Sequence, residues 1–248
     1  MLGLLLTGSL SGCSISDDDD PVKRDTSSAA EPTPTATEEP SETASETPSD
    51  TPPSPTPEAS STAKPGTPEA ALIGAADFPQ LNETSAWTEV ETTVPGPDNF
   101  GLCQQFDTLS IGAMSAVERS FKTGTSGRDT AGQQVAEFPD AQNTVRGNKV
   151  LEAWHDECRK TLRETPSAKY RNVKVRPITE VAVPNGKGWY YLVSYTRGGQ
   201  GYFHEFGVVY DGNRMTMLKI DHEGQDHNYE PGQDPMELAV KAASAKMG

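Results

Sequence analysis

Histidines and neighbouring carboxylates are the side chains in this sequence best suited to metal binding or proton transfer. There are four histidines: His155, His204, His222 and His227. The segment DHEGQDHNYE brings two of them close to Glu223 and Asp226. A zincin helix needs histidines four positions apart so that both imidazoles face one ion, whereas here they are five apart and separated by a glycine. A solvated polar loop is the better interpretation, with a mixed carboxylate loop site as the alternative, and we expect no metal or other cofactor.

Sequence signatures of covalent and phosphate chemistry are missing. No Gly-x-Ser-x-Gly nucleophile elbow occurs, and the turn Gly-Thr-Ser-Gly at 124–127 lacks the lysine that a P-loop places on phosphate. The adjacent acids Asp156 and Glu157 fall on the exposed side of a predicted helix, where carboxylates are usually only solvated. The sequence therefore predicts a protein that is not an enzyme.

A different kind of chemistry is indicated at Cys13. In MLGLLLTGSLSGCSISDDDD a short apolar run precedes this cysteine and four aspartates follow it. The run is too short to span a bilayer as a helix, but an apolar core followed by small residues suits a signal peptidase. A buried segment with an incidental cysteine is the alternative, which the aspartates disfavour.

The residues Leu10-Ser11-Gly12-Cys13 resemble a bacterial lipobox. The resemblance implies that residues 1–12 are a lipoprotein signal peptide and that Cys13 carries acyl chains such as palmitate. More than one acyl chain gives stable membrane anchoring, so we expect a lipid anchor at the extracytoplasmic face of the cell membrane. No Lys or Arg precedes the apolar run, although secretory signals normally begin with positive charge. We therefore expect the true translation start to lie upstream.

Residues 13–77 have the composition of a linker. They contain no Trp, Tyr or Phe and consist mostly of Pro, Thr, Ser, Glu and Ala. Such a segment cannot bury enough apolar surface to offset its chain entropy, so we expect it to be disordered. Its prolines favour an extended spacer, long enough to cross a cell-wall layer, and Thr and Ser beside Pro are also typical of O-glycosylated stalks.

Most of the negative charge lies in this N-terminal part. Residues 1–77 hold 14 Asp and Glu against 3 Lys and Arg, whereas residues 78–248 hold 22 against 18. Because neither part shows a basic stripe, we do not expect nucleic acid as a partner. An acidic arm is repelled by anionic lipid, which helps to hold the chain away from the surface that anchors it.

Two cysteines remain once Cys13 is assigned to lipid. Disulfides persist outside the cytoplasm, so Cys103 and Cys158 are predicted to be bonded, which would stabilise the fold by about 4 kcal/mol. Two separate buried thiols are the alternative. A metal role is weaker, because no Cys-x-x-Cys motif and no nearby histidine accompanies Cys103.

Hydrophobic periodicity predicts one α+β domain over residues 78–248. Helices are predicted at 140–163, with Asp140 as N-cap and Cys158 on the buried stripe, and at 234–246. We expect an antiparallel sheet packed on one side by both helices. Strands are predicted at 85–93, 110–124, 132–138, 172–183, 187–197, 201–211 and 214–222.

Several motifs together resemble a known domain family. They are Trp87, Cys103, Phe-Pro-Asp-Ala at 138–141, Trp154-x3-Cys158, Gly-Gln-Asp-His-Asn-Tyr at 224–229 and Asp-Pro-Met at 234–236. The pattern is similar to the PknH-like extracellular sensor domains, which occur on mycobacterial receptor Ser/Thr kinases and on standalone actinobacterial lipoproteins. The resemblance implies an antiparallel sheet flanked by two helices and a cleft for an unidentified ligand. This sequence lacks the second disulfide usual in those kinases, and it contains no kinase domain.

Aromatic residues are concentrated in the predicted strands at 187–211. Because strand residues alternate between faces, the face carrying Trp189, Tyr191 and Tyr195 is predicted to pack on a helix, and part of the aromatic set to line a ligand groove. Core packing of all of them is the alternative. The predicted ligand-binding residues are Trp189, Tyr191, Tyr195, Tyr202 and Phe203.

Function follows as an expectation from the anchor, the spacer and the domain. We expect a monomeric, membrane-anchored lipoprotein whose sensor-like domain binds an unidentified small molecule or cell-wall component. The alternative is a wall-associated structural or protein-interaction module without a small-molecule ligand.

Overall fold

The computed structural model describes residues 66–124, 128–165 and 170–247. The predicted signal peptide, Cys13 and most of the predicted linker lie outside the described residues. The described part contains eight strands and two α-helices in this order: β1 (Trp87–Thr93), β2 (Ser115–Thr123), β3 (Thr130–Glu137), α1 (Ala141–Glu164), β4 (Arg171–Val175), β5 (Thr179–Val181), β6 (Lys187–Arg197), β7 (Gln200–Asp211), β8 (Arg214–Glu223) and α2 (Pro235–Met247). No helix of this part is long and apolar enough to cross a membrane.

All eight strands belong to one antiparallel sheet. The strand order is β1-β2-β3-β8-β7-β6-β4, and β5 pairs with β6 beyond the end of β4. In the centre of the sheet, Trp189 lies opposite Val208, which lies opposite Met217. The tight turn between β7 and β8 places Gly212 at φ +57°, a backbone conformation that glycine adopts without steric cost.

The two helices pack on opposite faces of this sheet. Trp189, Val208 and Met217 belong to one buried cluster together with the apolar stripe of α1. Val209 and Leu218, on the other face, pack with Met236 and Val240 of α2. The prediction of an antiparallel sheet with two helices is confirmed, but the helices divide between its faces. The physical reason is that the central strands are apolar at both alternating positions, so each face must be covered.

The strand boundaries follow the sequence closely, with one break. The segment predicted as a single strand at 172–183 forms two strands, β4 and β5, that flank Pro177. Proline has no backbone N–H to donate to a sheet. The segment predicted at 110–124 becomes regular only at Ser115.

The packed region begins before residue 78, where the predicted domain starts. A short 3-10 helix spans Pro68–Ala71, and Ala71 and Ile73 are fully buried. The side chain of Gln133 on β3 accepts a hydrogen bond from the Ile73 N–H at 2.6 Å and donates one to the Ala71 carbonyl at 3.0 Å. A short apolar stretch inside a Pro-rich composition therefore belongs to the core.

The helix α1 is fixed at both ends of its buried stripe. Asp140 caps its N-terminus by accepting a hydrogen bond from the Asn143 N–H at 2.8 Å, as predicted. Near its C-terminal end, Cys158 forms a disulfide with Cys103, so the predicted disulfide is confirmed. Both cysteines are buried, and the bond ties the segment before β2 to the last turns of α1.

Candidate functional site

An open groove of about 690 Å³ lies at the edge of the sheet formed by β4. We call it the β4 groove. Its walls come from the C-terminal part of α1, from β4, β6 and β7, and from the loop that follows β8. Residues lining it are Arg159, Arg163, Asn172, Lys174, Ser194, Tyr195, Thr196, Phe203 and Asp226. The volume lies in the range of small-molecule sites.

Three cations dominate the charge of the β4 groove. Arg159 and Arg163 are four residues apart on α1, so their side chains leave the same face of the helix. Lys174 reaches the groove from β4. All three are exposed, and within the described residues none of them forms an ion pair. The one carboxylate among the described lining residues, Asp226, lies 3.5 Å from Arg176.

The backbone of β4 is irregular where it borders the groove. Its pairing with β6 shifts register between Arg171 and Lys174. Asn172, inside this irregularity, has φ +54° and is the one non-glycine residue with positive φ in the described ranges. Asparagine tolerates this left-handed conformation better than most residues. Its side-chain amide donates to Thr196 Oγ1 at 3.2 Å, which holds two polar lining residues in a fixed arrangement.

Positive charge is concentrated in the stretch of sequence that supplies the three cations of the groove. Residues 159–176 contain seven Lys and Arg and one Glu, whereas the remainder of 78–248 contains 11 Lys and Arg and 21 Asp and Glu. The expectation of a nearly balanced domain without a basic stripe missed this segregation, because it averaged the charge over the whole domain. A charge count in a short sliding window was the signal that could have found it.

Most of the aromatic residues predicted to bind ligand lie in the core. Trp189 and Tyr191 are each 4% exposed and pack in the cluster under α1. Trp189 Nε1 also donates to Asn148 Oδ1 of α1 at 2.8 Å. The side chain of Trp189 is used in packing against α1, and Tyr191 borders a cavity of about 10 Å³. Neither residue lines the β4 groove, and their ligand role remains a prediction.

The remaining predicted aromatics lie at or beside the groove. Tyr195 is 6% exposed and stacks on Tyr202 with 5.2 Å between ring centroids. Tyr195 and Phe203 both line the groove. Arg197 lies over the Tyr202 ring at 4.9 Å. The groove wall therefore contains aromatic edges, but its exposed chemistry is basic and polar.

Tyr195 is the first of three polar side chains that are connected by hydrogen bonds. Its hydroxyl lies 3.0 Å from His204 Nε2, and His204 Nδ1 is hydrogen-bonded to Asp221. The order of groups resembles a nucleophile–histidine–aspartate triad. Burial raises the pKa of Tyr195 to about 12, so the phenol stays protonated near neutral pH. The two hydrogen bonds hold the Tyr195 ring in place in the groove wall.

A small cavity lies on the α2 face, beneath the loop of residues 224–229. We call it the Glu205 cavity. Its volume is about 20 Å³, and it is lined by Leu81, Phe203, Glu205, Ile220, His222, Asp226, His227 and Tyr229. Glu205 Oε2 and His227 Nε2 are buried there without a hydrogen-bond partner within the described part of the chain.

Glu205 has an unusual titration because of this environment. Burial, and after it the nearby carboxylates of Asp234 and Asp226, raises the pKa of Glu205 to about 8. A carboxyl group in a site of low polarity favours its neutral form, so Glu205 is mostly protonated at neutral pH. The loop covering it is held by a hydrogen bond from the Tyr229 hydroxyl to the Leu81 carbonyl at 3.1 Å.

The histidines near this loop do not form a metal site in the described structure. His222 Nδ1 lies 2.7 Å from Asp129 Oδ1, and its Nε2 lies 3.0 Å from the Gln225 carbonyl. Both nitrogens therefore have protein partners. Across residues 66–124, 128–165 and 170–247, no group of three or more His, Cys, Asp or Glu is arranged to hold a metal ion.

Comparisons with known proteins give a similarity at low identity. No family model matches the chain, and no curated protein matches it. Among solved structures, it matches the extracellular domain of PknH from Mycobacterium tuberculosis with 14% identity and a TM-score of 0.44, covering 70% of this chain and 93% of that one. LpqN, involved in cell envelope biogenesis in the same organism, matches with 12% identity and a TM-score of 0.27, covering 70% of this chain and 95% of that one.

Proposed function

We propose that the chain is an extracytoplasmic, lipid-anchored protein whose domain binds a ligand in the β4 groove. The observation that carries the proposal is the groove itself. It is built from five segments of the fold and presents guanidinium, ammonium, amide and hydroxyl groups to one space. A concave site with a few convergent polar groups is the usual form of a ligand site.

The backbone at the groove supports a binding role. Asn172 keeps a sparsely populated conformation at the point where β4 loses its regular pairing. Such conformations persist where the surrounding structure holds them in place, and they are concentrated at ligand-binding and active sites. The disulfide at Cys158 lies next to Arg159 in sequence and fixes this part of α1 against the segment around Cys103.

Catalysis is not part of the proposal. The arrangement closest to a catalytic one, Tyr195–His204–Asp221, contains a buried phenol whose pKa is raised. A nucleophile or general base works best when its pKa lies near the working pH. The groups exposed in the groove are three cations, neutral hydrogen-bonding groups and the Asp226 carboxylate, and such a set suits recognition of a ligand.

The proposal is tested by filling the groove. Ser194 lines it, and its side chain forms no hydrogen bond within the described part of the chain, so Ser194→Trp places a large ring in the space at little structural cost. Native mass spectrometry would detect molecules retained from a cell-envelope extract. We expect wild-type protein and the exposed control Thr88→Trp to retain the same species, and Ser194→Trp to lose it. Equal retention by all three proteins would contradict a ligand site in the groove.

The anchor is tested separately at Cys13. We expect Cys13→Ala, expressed with the full native leader, to move the protein from the membrane fraction to the medium, because the thiol that carries the lipid is removed. The control is Cys13→Ala combined with an added transmembrane segment, which should return the protein to the membrane. A membrane-bound Cys13→Ala variant without that segment would contradict lipid anchoring.

A protein-interaction module is the second candidate function. Phe106, Leu109 and Met114 are 61%, 48% and 62% exposed in the segment that precedes β2. Exposed apolar side chains clustered on one segment mark protein contacts more often than scattered ones do. A triple Ser variant of these residues that lost an envelope partner, while Ser194→Trp kept it, would favour this candidate.

A further inference from the structure

We infer that the β4 groove binds an anionic ligand that presents phosphate or carboxylate groups to Arg159, Arg163 and Lys174. The inference rests on the proposed function and names the chemical class of the ligand. The shared chemistry could come from an anionic polymer of the envelope or from the headgroup of an anionic lipid.

Three cations of the groove lack a carboxylate partner in the described part of the chain, because the Asp226 carboxylate in the same groove is paired with Arg176. Arg159, Arg163 and Lys174 line the same space, and none has a carboxylate partner within the described residues. Like charges held close together repel one another. An anion in the groove would relieve that repulsion and would gain the attraction of all three cations.

The spacing of Arg159 and Arg163 on α1 also favours an anionic ligand. Side chains four positions apart on a helix are neighbours on its surface, so the guanidinium groups of Arg159 and Arg163 can reach one ligand in the groove. A guanidinium group binds carboxylate or phosphate through two parallel hydrogen bonds. The pair is therefore suited to two successive anionic groups on an extended molecule, or to one phosphate held from two sides.

The net charge of residues 159–176 is opposite in sign to that of the rest of the domain. Outside residues 159–176 the domain has an excess of ten acidic residues, and an anion is repelled from such a surface. A local positive region on an acidic protein directs anions to that region. The hydroxyls of Ser194 and Thr196 and the amide of Asn172 line the same groove and can bind neutral groups such as sugar hydroxyls.

Calorimetric titration of the full chain carrying Cys13→Ala with inorganic polyphosphate tests the inference. The groove variant is Arg159→Gln with Arg163→Gln. The matched control is Arg146→Gln with Lys149→Gln, which removes the same charge from exposed positions of the same helix. We expect the groove variant to bind polyphosphate at least tenfold more weakly and the control to stay within twofold of the parent protein.

Two further experiments are needed. One distinguishes a lipid headgroup from a soluble polymer as the source of the anion, and the other distinguishes failure of the anionic ligand class from failure of the groove as a ligand site. Sedimentation with phosphatidylglycerol vesicles, against phosphatidylcholine vesicles, distinguishes a lipid headgroup from a soluble polymer, and arginine-dependent binding to either anion supports the inference. Equal loss in the groove and control variants would overturn it, as would no loss in either. Neutral dextran binding that Ser194→Trp abolishes and the arginine substitutions leave unchanged would overturn the anionic class but keep the groove as a ligand site.

Discussion

The β4 groove and the Glu205 cavity share two lining residues, Phe203 and Asp226. They differ in the charge of their ionisable groups, which are charged in the groove and mostly neutral at Glu205. The groove is open, about 690 Å³ in volume, and carries exposed cations. The cavity is much smaller, about 20 Å³ in volume, and contains a buried carboxyl group whose pKa is raised to about 8. Exposed side chains remain charged and available to a ligand, whereas a buried carboxyl group without a counter-ion becomes neutral.

The 224–229 loop lies between these two environments. It contributes Asp226 to both, and its Tyr229 is hydrogen-bonded to the segment before β1. The loop therefore covers the cavity and borders the groove. The difference supports the proposal that the groove, rather than the cavity, takes an external ligand.

Removing the disulfide should have the largest effect on stability. It should loosen the groove side of the domain, which contains α1, more than the side that contains α2. We expect Cys103→Ala with Cys158→Ala to lower the free energy of unfolding by about 4 kcal/mol, because the bond closes a long loop in the unfolded chain. Chemical denaturation of oxidised wild-type and variant protein measures the difference. The bond joins the segment at Cys103 to α1, so hydrogen exchange should rise in α1 more than in α2.

The control for the disulfide is reduction of the wild-type protein. Reduced wild type should resemble the double variant in both stability and exchange. A stability loss below about 1 kcal/mol, or equal exchange in the two helices, would contradict the role assigned to the bond.

Glu205→Gln should have the next largest effect, and it should depend on pH. In the folded protein the pKa is about 8, above the ordinary value near 4.5, so the folded state binds the proton more tightly than the unfolded state does. Stability therefore falls as the pH rises from about 4.5 to 8. Glutamine cannot ionise, and we expect it to raise stability by a few kcal/mol at pH 8 and by almost nothing at pH 4.

Denaturation curves at pH 4, 6 and 8 measure this dependence. Glu223→Gln is the matched control, because Glu223 carries the same side chain on the neighbouring strand β8, and this substitution should leave the pH profile of the wild type unchanged. A Glu205→Gln variant as pH-dependent as wild type would show that Glu205 is ionised in the folded protein.

Asp226→Asn should have the smallest effect on stability. It should change anion binding in the β4 groove and the pKa of Glu205 in the cavity. Its ion pair with Arg176 joins two exposed side chains, and such pairs contribute at most about 1 kcal/mol. Loss of its negative charge should strengthen polyphosphate binding two- to threefold. It should also lower the pKa of Glu205, because Asp226 is one of the charges that raise it. Calorimetry and the pH profile of unfolding check the two effects, and weaker polyphosphate binding would contradict the charge assignment of the groove.

Much of the fold could be predicted from local sequence patterns. The strand at 187–197, the helix capped by Asp140 and the bond between Cys103 and Cys158 all follow from alternation, capping chemistry and cysteine count. These features depend on neighbours in sequence or on a small set of possible partners. The division of the helices between the two faces could not be read in the same way, because it depends on which strands become central.

The site was harder to predict for a related reason. Aromatic residues such as Trp189 indicate either a core or a ligand wall, and only the position of α1 decides between them. The groove depends on Arg159 and Lys174, which come from separate elements and meet only after folding. The clustering of Lys and Arg over 159–176 was visible in the sequence, but it was hidden by an average over the whole domain.

We propose that the β4 groove binds an anionic ligand. The most direct test is hydrogen–deuterium exchange of the full chain, measured with and without inorganic polyphosphate. We expect slower exchange in β4 (Arg171–Val175) and at residues 194–203, which include the end of β6 and the start of β7, with α2 unchanged. We also expect Arg159→Gln with Arg163→Gln to abolish the protection. Protection confined to other parts of the domain, or protection that persists in the arginine variant, would contradict the proposal.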